Sequence, residues 1–417
     1  MLRRDLLGFL QKNHTAYGDL FRIRFPGRRP ALVALGPAAN ELLLNDTQQL
    51  FSCAATIPPL HNLFRGTLLA TDFDHHRNVR TLFKGAFTSE ALASYSTHIQ
   101  RSADQLVTQW PSQGSIKVYS AIKTLLLHMN ANTLLGLETT RSEELYNTCV
   151  SALALPVLPT HSASLRKPAA RHLQAAETLI ALLADLVPGR RVNPGTDMFS
   201  RLCQIDLPND AIARNLFAFW HNAHEATALT VTHILYSLAH HQDWQDRLRS
   251  DVLAVRPRIA YPTDKDLNFD ELGKIDSIEW VFKEVLRLYA PFQILQRRSI
   301  VKVNFAGYQI PENAALVTFP HFTHHLAKWF MQPDKFDPLR FAPERAEDRR
   351  HPFVFVPFGQ GPHQCIGGQF ALLQVRALAS FLLPRYRIER PANQTPQVRT
   401  LPRPFLQNDL EVQLSSL

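Results

Sequence analysis

The sequence feature that most limits the fold is a long stretch in the middle of the chain, DAIARNLFAFWHNAHEATALTVTHILYSLAHH, at residues 210–241. Small and apolar residues recur in it at helical spacing for about eight turns. A helix of that length is expected to pass through the centre of the molecule, with the other elements packed around it.

Most of the remaining chain also carries a helical pattern. The pattern dominates residues 38–248, and the segment IDSIEWVFKEVLRLYAP predicts a further helix that ends at Pro291. A last helix is predicted to begin at Gly367 or Gly368. Helices therefore heavily outnumber strands.

A smaller set of segments predicts β-structure. Residues 20–25 alternate in polarity and residues 31–35 return after a Pro-Gly turn, which predicts a β-hairpin. Short strands are predicted within residues 299–319, and a final hairpin within residues 401–414. The predicted fold class is mostly α with minor β (α+β).

The bulk properties favour one compact unit. The chain has 417 residues, of which 45% are apolar, and this is enough for a large buried core. It contains no fixed-period repeat, low-complexity tract or Gly/Ser linker. We therefore expect a monomer with a single domain over residues 1–417. Its expected parts are a β-rich part at about 17–36, a helical bulk over 38–290, a β and loop region over 291–366, and a C-terminal helix and hairpin over 367–417.

Charge and cysteine content narrow the class of protein. The 45 Lys and Arg against 36 Asp and Glu give a net charge of +9, which favours an acidic partner surface; because the basic residues are scattered, nucleic-acid binding has little support. The four cysteines form no Cys-x-x-Cys pair, so a reducing cytoplasm is expected, without a disulfide framework or zinc ribbon. No run of ~18 apolar residues predicts a membrane span.

One cysteine lies in a glycine-rich segment, FVPFGQGPHQCIGGQFALL, at residues 355–373. Cys365 precedes a predicted helix N-terminus, whose dipole is expected to lower the pKa of the thiol below ~8.5 and favour the thiolate. Three roles are open for it: an inert cysteine in a tight turn, a nucleophile with His363 as base, or a metal-bound thiolate. In the third role, the glycines would make room for a flat macrocycle.

The same segment resembles the haem-binding signature of the cytochrome P-450 family, F-x-x-G-x-[HR]-x-C-x-G. Its fixed positions are filled in register by Phe358, Gly361, His363, Cys365 and Gly367. The resemblance implies the cytochrome P-450 fold, with a long central helix over haem b (iron protoporphyrin IX) and small sheets. It makes the Cys365 thiolate the axial ligand of the haem iron, with Phe358, Gly359 and Gly367 against the cofactor.

Two further motifs follow the same family order. KEVLRL supplies an E-x-x-R pair, Glu284 and Arg287, which share one helix face. FDPLRF supplies Arg340 and has Leu339 where the family commonly has Glu. The resemblance implies that Glu284, Arg287 and Arg340 form a buried structural network behind the haem.

The helix HHRNVRTLFKGAF resembles the family helix that passes the haem edge. His76 and Arg80, four residues apart, are expected to reach the haem propionates, together with Arg297 and His363; Arg298 replaces Arg297 if the strand is shifted by one residue. The pairs His240/His241 and His324/His325 also suggest metal ligands, but adjacent helical residues point in different directions, which argues against a metal site.

The central helix departs from the family pattern [AG]-G-x-[DE]-T. In HNAHEATAL, Glu225 takes the acid position and Ala223 the glycine position, whereas Ala226 takes the threonine position. Thr227 is rotated by about 100° and cannot simply replace the hydroxyl. The expected catalytic positions are Glu225, Ala226 and Thr227, with Glu225 on a proton path.

The resemblance implies an oxidoreductase that inserts one oxygen atom from O2 into a lipophilic small molecule. Ala226 keeps open a peroxide-using or isomerase-type haem-thiolate enzyme, and also a haem-binding sensor without turnover. Terpenoids or steroids, and hence secondary metabolism, are the expected substrate classes. The expected pocket residues are almost wholly apolar: Ile57, Leu60, Phe64, Trp220, Ala223, Phe292, Ile294 and Phe405.

No reductase segment is expected in the chain, which ends with the haem region. We therefore expect a separate ferredoxin or flavodoxin-type electron donor, which docks near Cys365. A basic neighbourhood for an acidic donor is expected from Arg345, Arg349, Arg350 and His351.

Overall fold

The computed structural model describes residues 5–24, 30–56, 61–137, 143–154, 166–255, 267–391, 398–399, 405–406 and 410–417. Among these residues, helices dominate, as predicted. In chain order the helices are α1 Leu6–Tyr17, α2 Pro37–Leu44, α3 His61–Phe64, α4 Phe73–Phe83, α5 Ser89–Val107, α6 Val118–Asn130, α7 Glu143–Leu153, α8 Arg166–Val192, α9 Met198–Cys203, α10 Asn209–His240, α11 Gln242–Val255, α12 Phe269–Gly273, α13 Asp276–Tyr289, α14 Pro320–His324 and α15 Gly368–Arg385.

The strands are short and belong to several small sheets. They are β1 Leu20–Ile23, β2 Ala31–Ala34, β3 Phe51–Ser52, β4 Gln113–Lys117, β5 Leu295–Ser299, β6 Val303–Phe305, β7 Tyr308–Ile310, β8 Ala315–Thr318, β9 Tyr386–Glu389, β10 Val398–Arg399, β11 Phe405–Leu406 and β12 Glu411–Ser416. Within the described residues, no helix is long and apolar enough to cross a bilayer.

The predicted central helix is α10, which has 32 residues. It packs against α6, α8 and α13. Phe217 and Trp220 on this helix are fully buried. The hydroxyls of Thr230 and Thr232 donate to the carbonyls four residues earlier, at 2.9 and 2.8 Å. Because these hydroxyls are hydrogen-bonded, their burial in the core lowers the stability of the fold only slightly. The other helices are therefore arranged around α10, as the sequence predicted.

The largest sheet has the strand order β1-β2-β8-β5-β3. The hairpin predicted near the N-terminus is its β1-β2 pair, in which Leu20 lies opposite Ala34. Strand β2 then pairs in parallel with β8, and β8 pairs with β5. This sheet fixes the position of β5, which carries Arg297.

The hairpin predicted over residues 401–414 is wrong in its pairing. Strand β11 pairs with β10, whereas β12 pairs with β4 and β9. The reason is packing: Val412 and Leu414 on β12 are buried in the main apolar core, where they lie opposite Ile116 and Ile388. Burial of these side chains favours the distant partner strands over the neighbouring segment.

Acid sensitivity is expected from a histidine inside the core. The Nδ1–H of His233 on α10 donates to the Leu229 carbonyl at 2.8 Å, and its ring stacks on Tyr289 of α13. Burial lowers the pKa of His233 to about 4, from an ordinary value of 6.5. As the pH falls below 6.5, the unfolded chain therefore binds a proton that the folded chain excludes, and stability decreases until about pH 4.

We predict that H233F removes about 2 kcal/mol of the stability difference between about pH 7 and pH 5. Urea unfolding at the two pH values measures this difference. The matched control is H240F, because His240 is an exposed histidine on the same helix with a similar backbone contact. An unchanged pH dependence in H233F would contradict the prediction.

Candidate functional site

The loop that carries Cys365 is held by its own backbone. The N–H of Gly359 donates to the Val356 carbonyl at 3.0 Å, and the N–H of Cys365 donates to the Phe358 carbonyl at 2.8 Å. Helix α15 begins at Gly368, three residues after the cysteine. We call residues 356–367 the cysteine loop. Cys365 therefore lies in a hydrogen-bonded turn and not in a strand or helix.

Two glycines of the cysteine loop adopt left-handed backbone conformations. Gly359 has φ 68° and Gly361 has φ 69°. At Gly361, a Cβ atom would lie 2.1 Å from the carbonyl oxygen of Leu44, at the end of α2. A side chain is therefore excluded twice at Gly361, by conformation and by space.

Cys365 differs from the buried cysteines in its surroundings. Its side chain keeps accessible surface, whereas Cys149 and Cys203 are buried in the main core. Protein atoms nevertheless crowd around the thiol. The accessible surface argues against an inert core cysteine, and the crowding governs its ionisation.

The predicted lowering of the pKa of Cys365 is wrong for the protein alone. Burial raises the pKa of this thiol, and the N–H of Gly367 and the charge of Arg80 lower it only in part. The helix N-terminus predicted from the sequence is present, but desolvation outweighs it. A bound cation, such as a metal ion, would favour the thiolate at this position.

The four residues predicted to bind anions form one cluster, and the charge of Arg80 in this cluster acts on the thiol. The rings of His76 and His363 are 3.9 Å apart between centroids, and the charges of Arg80 and Arg297 act on both histidines. Burial and the neighbouring positive groups lower the pKa of His76 to about 4 and that of His363 to about 3. A bound anion would relieve this repulsion.

The register of β5 selects Arg297 over Arg298. Arg297 is buried, and its guanidinium donates to the Gln296 carbonyl at 2.8 Å and lies 3.5 Å from the Cys53 sulfur. Arg298 points to the other face and donates to the Asn313 carbonyl at 3.1 Å, in an exposed position. Adjacent strand residues face opposite sides of a sheet, so only Arg297 joins the basic cluster.

Sequence reasoning missed a carboxylate that contacts this cluster. Asp72 lies 3.6 Å from the Nε2 of His363. Its oxygens also accept hydrogen bonds from the hydroxyl of Ser52 at 2.5 Å and the N–H of Cys53 at 2.8 Å. Asp72 therefore ties the strand β3 to the start of α4. Its only sequence signal is its position just before that helix.

The predicted three-residue network is fully buried. Glu284 accepts two hydrogen bonds from Arg287, at 2.7 and 2.9 Å, and one from Arg340 at 3.1 Å. All three side chains are 0% exposed. The remaining guanidinium protons of Arg287 reach backbone carbonyls, including that of His324 at 2.9 Å.

A fourth member, Glu347, was not predicted. Its carboxylate accepts from Arg340 at 2.8 Å and from Arg345 at 2.7 Å. Burial raises the pKa of Glu347, but hydrogen bonds from Arg345 and Arg340 outweigh it, so the net pKa lies below the ordinary value. The buried core of the network, Glu284, Arg287, Arg340 and Glu347, is thereby neutral in total charge.

This network also corrects the predicted basic neighbourhood. Arg345 pairs with Asp337 at 2.6 Å and with Glu347, so its charge is neutralised inside the fold. Arg349 and Arg350 are exposed. The described surface therefore offers fewer uncompensated positive charges here than the sequence suggested.

The central helix presents one partly accessible face. Phe219, Asn222, Ala223 and Ala226 keep accessible surface although the residues around them are buried. Their spacing places them along one stripe of α10, which we call the accessible stripe. Thr227 is buried outside it, so its hydroxyl does not replace the one missing at Ala226.

Glu225 on the same helix is tied to α6. Its carboxylate accepts from the hydroxyl of Tyr119 at 2.5 Å and lies 3.2 Å from the ammonium of Lys123. The Glu225 side chain is 27% exposed, so water reaches it. The geometry gives a partly exposed carboxylate that is held by a hydroxyl and an ammonium group.

The predicted pocket residues are divided between several environments. Phe64 lies near Phe217, with ring centroids 6.3 Å apart, and Phe292 is exposed. Trp220 is fully buried in the main core, and Ile294 packs against the core formed by α1 and the largest sheet. Three predictions lie outside the described residues: Ile57, Leu60 and the side chain of Phe405.

One of the two histidine pairs noted in the sequence lies in the core. Among the described residues, no group of three or more His, Cys, Asp or Glu side chains is arranged to hold a metal ion. His324 and His325 are both buried, and each bonds to the surrounding backbone.

Comparison with known proteins identifies relatives over almost the whole chain. The family model described as "Cytochrome P450" matches residues 2–146 and 184–415. "Putative cytochrome P450 136" of Mycobacterium tuberculosis (strain ATCC 25618 / H37Rv) is 28% identical over 400 residues, covering 92% of this chain and 78% of that protein. "Sterol 14alpha-demethylase" of the same strain is 25% identical over 409 residues, covering 93% and 88%.

Solved structures show the same fold. The structure titled "Retinoic acid bound cyanobacterial CYP120A1" aligns with a TM-score of 0.85 at 22% identity, covering 98% of this chain and 94% of that one. The structure titled "Crystal structure of cytochrome P450DA heme domain" aligns with a TM-score of 0.84 at 19% identity, covering 99% and 92%. The predicted mostly α fold with small sheets is confirmed.

We predict that E284Q lowers the free energy of unfolding by about 3–5 kcal/mol, because it leaves Arg287 and Arg340 buried without their carboxylate. Urea unfolding measures the loss. The matched control on the same helix is E279Q, which removes partly exposed pairs with Arg376 and Lys283 and is expected to cost about 1 kcal/mol or less. Equal losses in the two variants would contradict the buried network.

Proposed function

Because this chain belongs to the cytochrome P-450 family of haem-iron monooxygenases, we propose that it inserts one atom of dioxygen into a lipophilic small molecule. A single observation supports this most strongly: an accessible cysteine in a glycine loop lies beside four clustered basic side chains. Neither an inert cysteine nor a nucleophile accounts for that cluster.

The residues present fit haem b. The Cys365 sulfur is accessible for iron, and coordination would deprotonate the thiol despite its burial. His76, Arg80, Arg297 and His363 would bind the two propionates of the cofactor, which supply the anions that the cluster lacks. Phe358, Gly359 and Gly367 would border the macrocycle.

When bound, thiolate-ligated haem iron supplies the activation of dioxygen, because the thiolate donates electron density that favours O–O cleavage. The overall reaction consumes the substrate C–H compound, one O2, two electrons and two protons, and yields the hydroxylated product and one water. The protein must therefore hold the cofactor, exclude bulk water from the substrate and deliver both protons.

Proton delivery is assigned to Glu225. Its carboxylate has access to water and lies beside the accessible stripe that contains Ala226. Tyr119 and Lys123 hold this carboxylate in place and favour its ionised form. Glu225 would pick up protons from solvent and pass them through ordered water along the stripe, in the absence of a threonine hydroxyl.

The substrate is proposed to be a terpenoid, a steroid or a compound of similar polarity. The accessible stripe is largely apolar, and Phe64 and Phe292 are apolar candidates for the pocket wall. Two relatives support the class: one is a sterol demethylase by name, and one structure is titled as bound to retinoic acid. A ferredoxin or flavodoxin is the proposed electron donor, since its acidic surface suits a chain of net charge +9.

Ala226 supports a second candidate, a peroxide-using or isomerase-type enzyme. Such chemistry needs no proton delivery to dioxygen, so an alanine in place of the threonine would not lower the rate. The peroxide-using form of the second candidate differs from the first candidate in its oxidant. Turnover with reduced ferredoxin or flavodoxin and O2 is compared with turnover with hydrogen peroxide, on terpenoids, steroids and fatty acids that displace the iron-bound water. Faster product formation with peroxide would favour the second candidate.

We predict that E225Q lowers donor-supported turnover about 10²-fold, because the proton donor for dioxygen is removed. Peroxide-supported turnover is expected to change little, since peroxide brings oxygen that is already reduced and protonated. The control E177Q, which removes a partly exposed pair with Arg214, is expected to leave both rates unchanged. An equal fall in both rates for E225Q would contradict its role in proton delivery.

In the same assay, A226T is expected to raise the fraction of electrons recovered in product with the electron donor. The added hydroxyl would lie on the accessible stripe, next to Glu225. No change in that fraction would mean that ordered water already completes the proton path.

A further inference from the structure

His324 is a fully buried histidine on the side of the fold that carries the ion network. It is the last residue of α14 and is 0% exposed. Its ring lies between Phe330 and Phe355, with centroid distances of 6.5 and 5.2 Å. A polar ring in such apolar surroundings needs hydrogen-bond partners to be tolerated.

The two hydrogen bonds of His324 point to two different parts of the site. Its backbone carbonyl accepts from a guanidinium N–H of Arg287 at 2.9 Å. Its ring Nε2 accepts the backbone N–H of Val356 at 3.1 Å. One residue therefore joins the buried ion network directly to the first residue of the cysteine loop.

Val356 is the point from which the cysteine loop turns. Its carbonyl accepts the N–H of Gly359, and two residues after Val356 the Phe358 carbonyl accepts the N–H of Cys365. A displacement at Val356 would therefore be transmitted through Phe358 to the backbone of Cys365. Val356 itself is buried, so water does not replace a lost partner of its N–H.

The ring must be neutral to make this contact. Burial, with the charges of His325 and Arg287, holds the pKa of His324 well below its ordinary value. Since Nε2 accepts from Val356, the remaining proton is on Nδ1. Within the described residues, Nδ1 has no hydrogen-bond partner, so the contact with Val356 is the one hydrogen bond that orients the ring.

We infer that His324 is a positioning residue, which transmits the rigidity of the Glu284–Arg287 network to the cysteine loop and so holds Cys365 on the iron. The inference rests on the proposed haem ligation by Cys365. It goes beyond that ligation, because it names the residue that couples the buried ion network to the cysteine loop.

The test uses the haem-loaded protein and three variants. H324L removes the acceptor, whereas H324Q keeps an oxygen near the position of Nε2. The matched control is H325L, which removes a neighbouring buried histidine whose Nδ1–H donates to the His321 carbonyl at 2.9 Å. The readout is the rate at which the red-shifted Soret band of the reduced carbon monoxide complex converts to the band of a protein without thiolate ligation.

We expect this conversion to be about tenfold faster in H324L than in H325L. Each variant is measured at the same number of degrees below its own unfolding temperature. H324Q is expected to stay within about threefold of the original protein. The iron midpoint potential, measured in parallel, is expected to change in H324L and not in H325L, which a role limited to stability would not produce.

Equal conversion rates in H324L and H325L would overturn the inference. If H324L yields no folded holoprotein, H324N takes its place, because its shorter amide does not reach the Val356 N–H. A red-shifted band that is missing from the original protein would instead refute the proposed function, so the two failures are distinguishable.

Discussion

The buried contact of Glu284 with Arg287 and Arg340 is the interaction on which the rest of the site depends. Charges that are fully removed from water are tolerated only when paired and hydrogen-bonded, and these side chains satisfy both conditions together with Glu347. The network joins α13 to the segment after β8, and through His324 it reaches the cysteine loop. The proposed positioning of Cys365 therefore depends on contacts far from it in sequence.

The cysteine loop and the central helix differ in the kind of side chains that they bring to the site. On the cysteine side, Gly361 fits against Leu44 without room for a side chain, so only glycine is accommodated at this position. On the opposite side, α10 supplies an accessible stripe with little polarity, and Glu225 stands at its edge with Tyr119 and Lys123. We therefore propose that iron ligation and proton supply depend on separate elements of the fold.

Local patterns made much of this predictable. The cysteine loop, the central helix and the pairing of Glu284 with Arg287 are visible in short stretches, because their residues are neighbours in sequence or on one helix face. Glu347, Asp72 and the partner strands of β12 were missed, since their contacts depend on packing between distant segments. The predicted pKa of Cys365 was wrong for the same reason: the helix N-terminus is local, whereas desolvation depends on the whole fold.

The central claim is that Cys365 binds the haem iron as a thiolate, held by the loop and the network behind it. The most direct measurement is the absorption spectrum of the reduced, haem-loaded protein with carbon monoxide, alongside C365S with its fold verified by circular dichroism. The account predicts a strongly red-shifted Soret band in the original protein and its loss in C365S. A well-folded holoprotein without that band, or a band that survives in C365S, would contradict it.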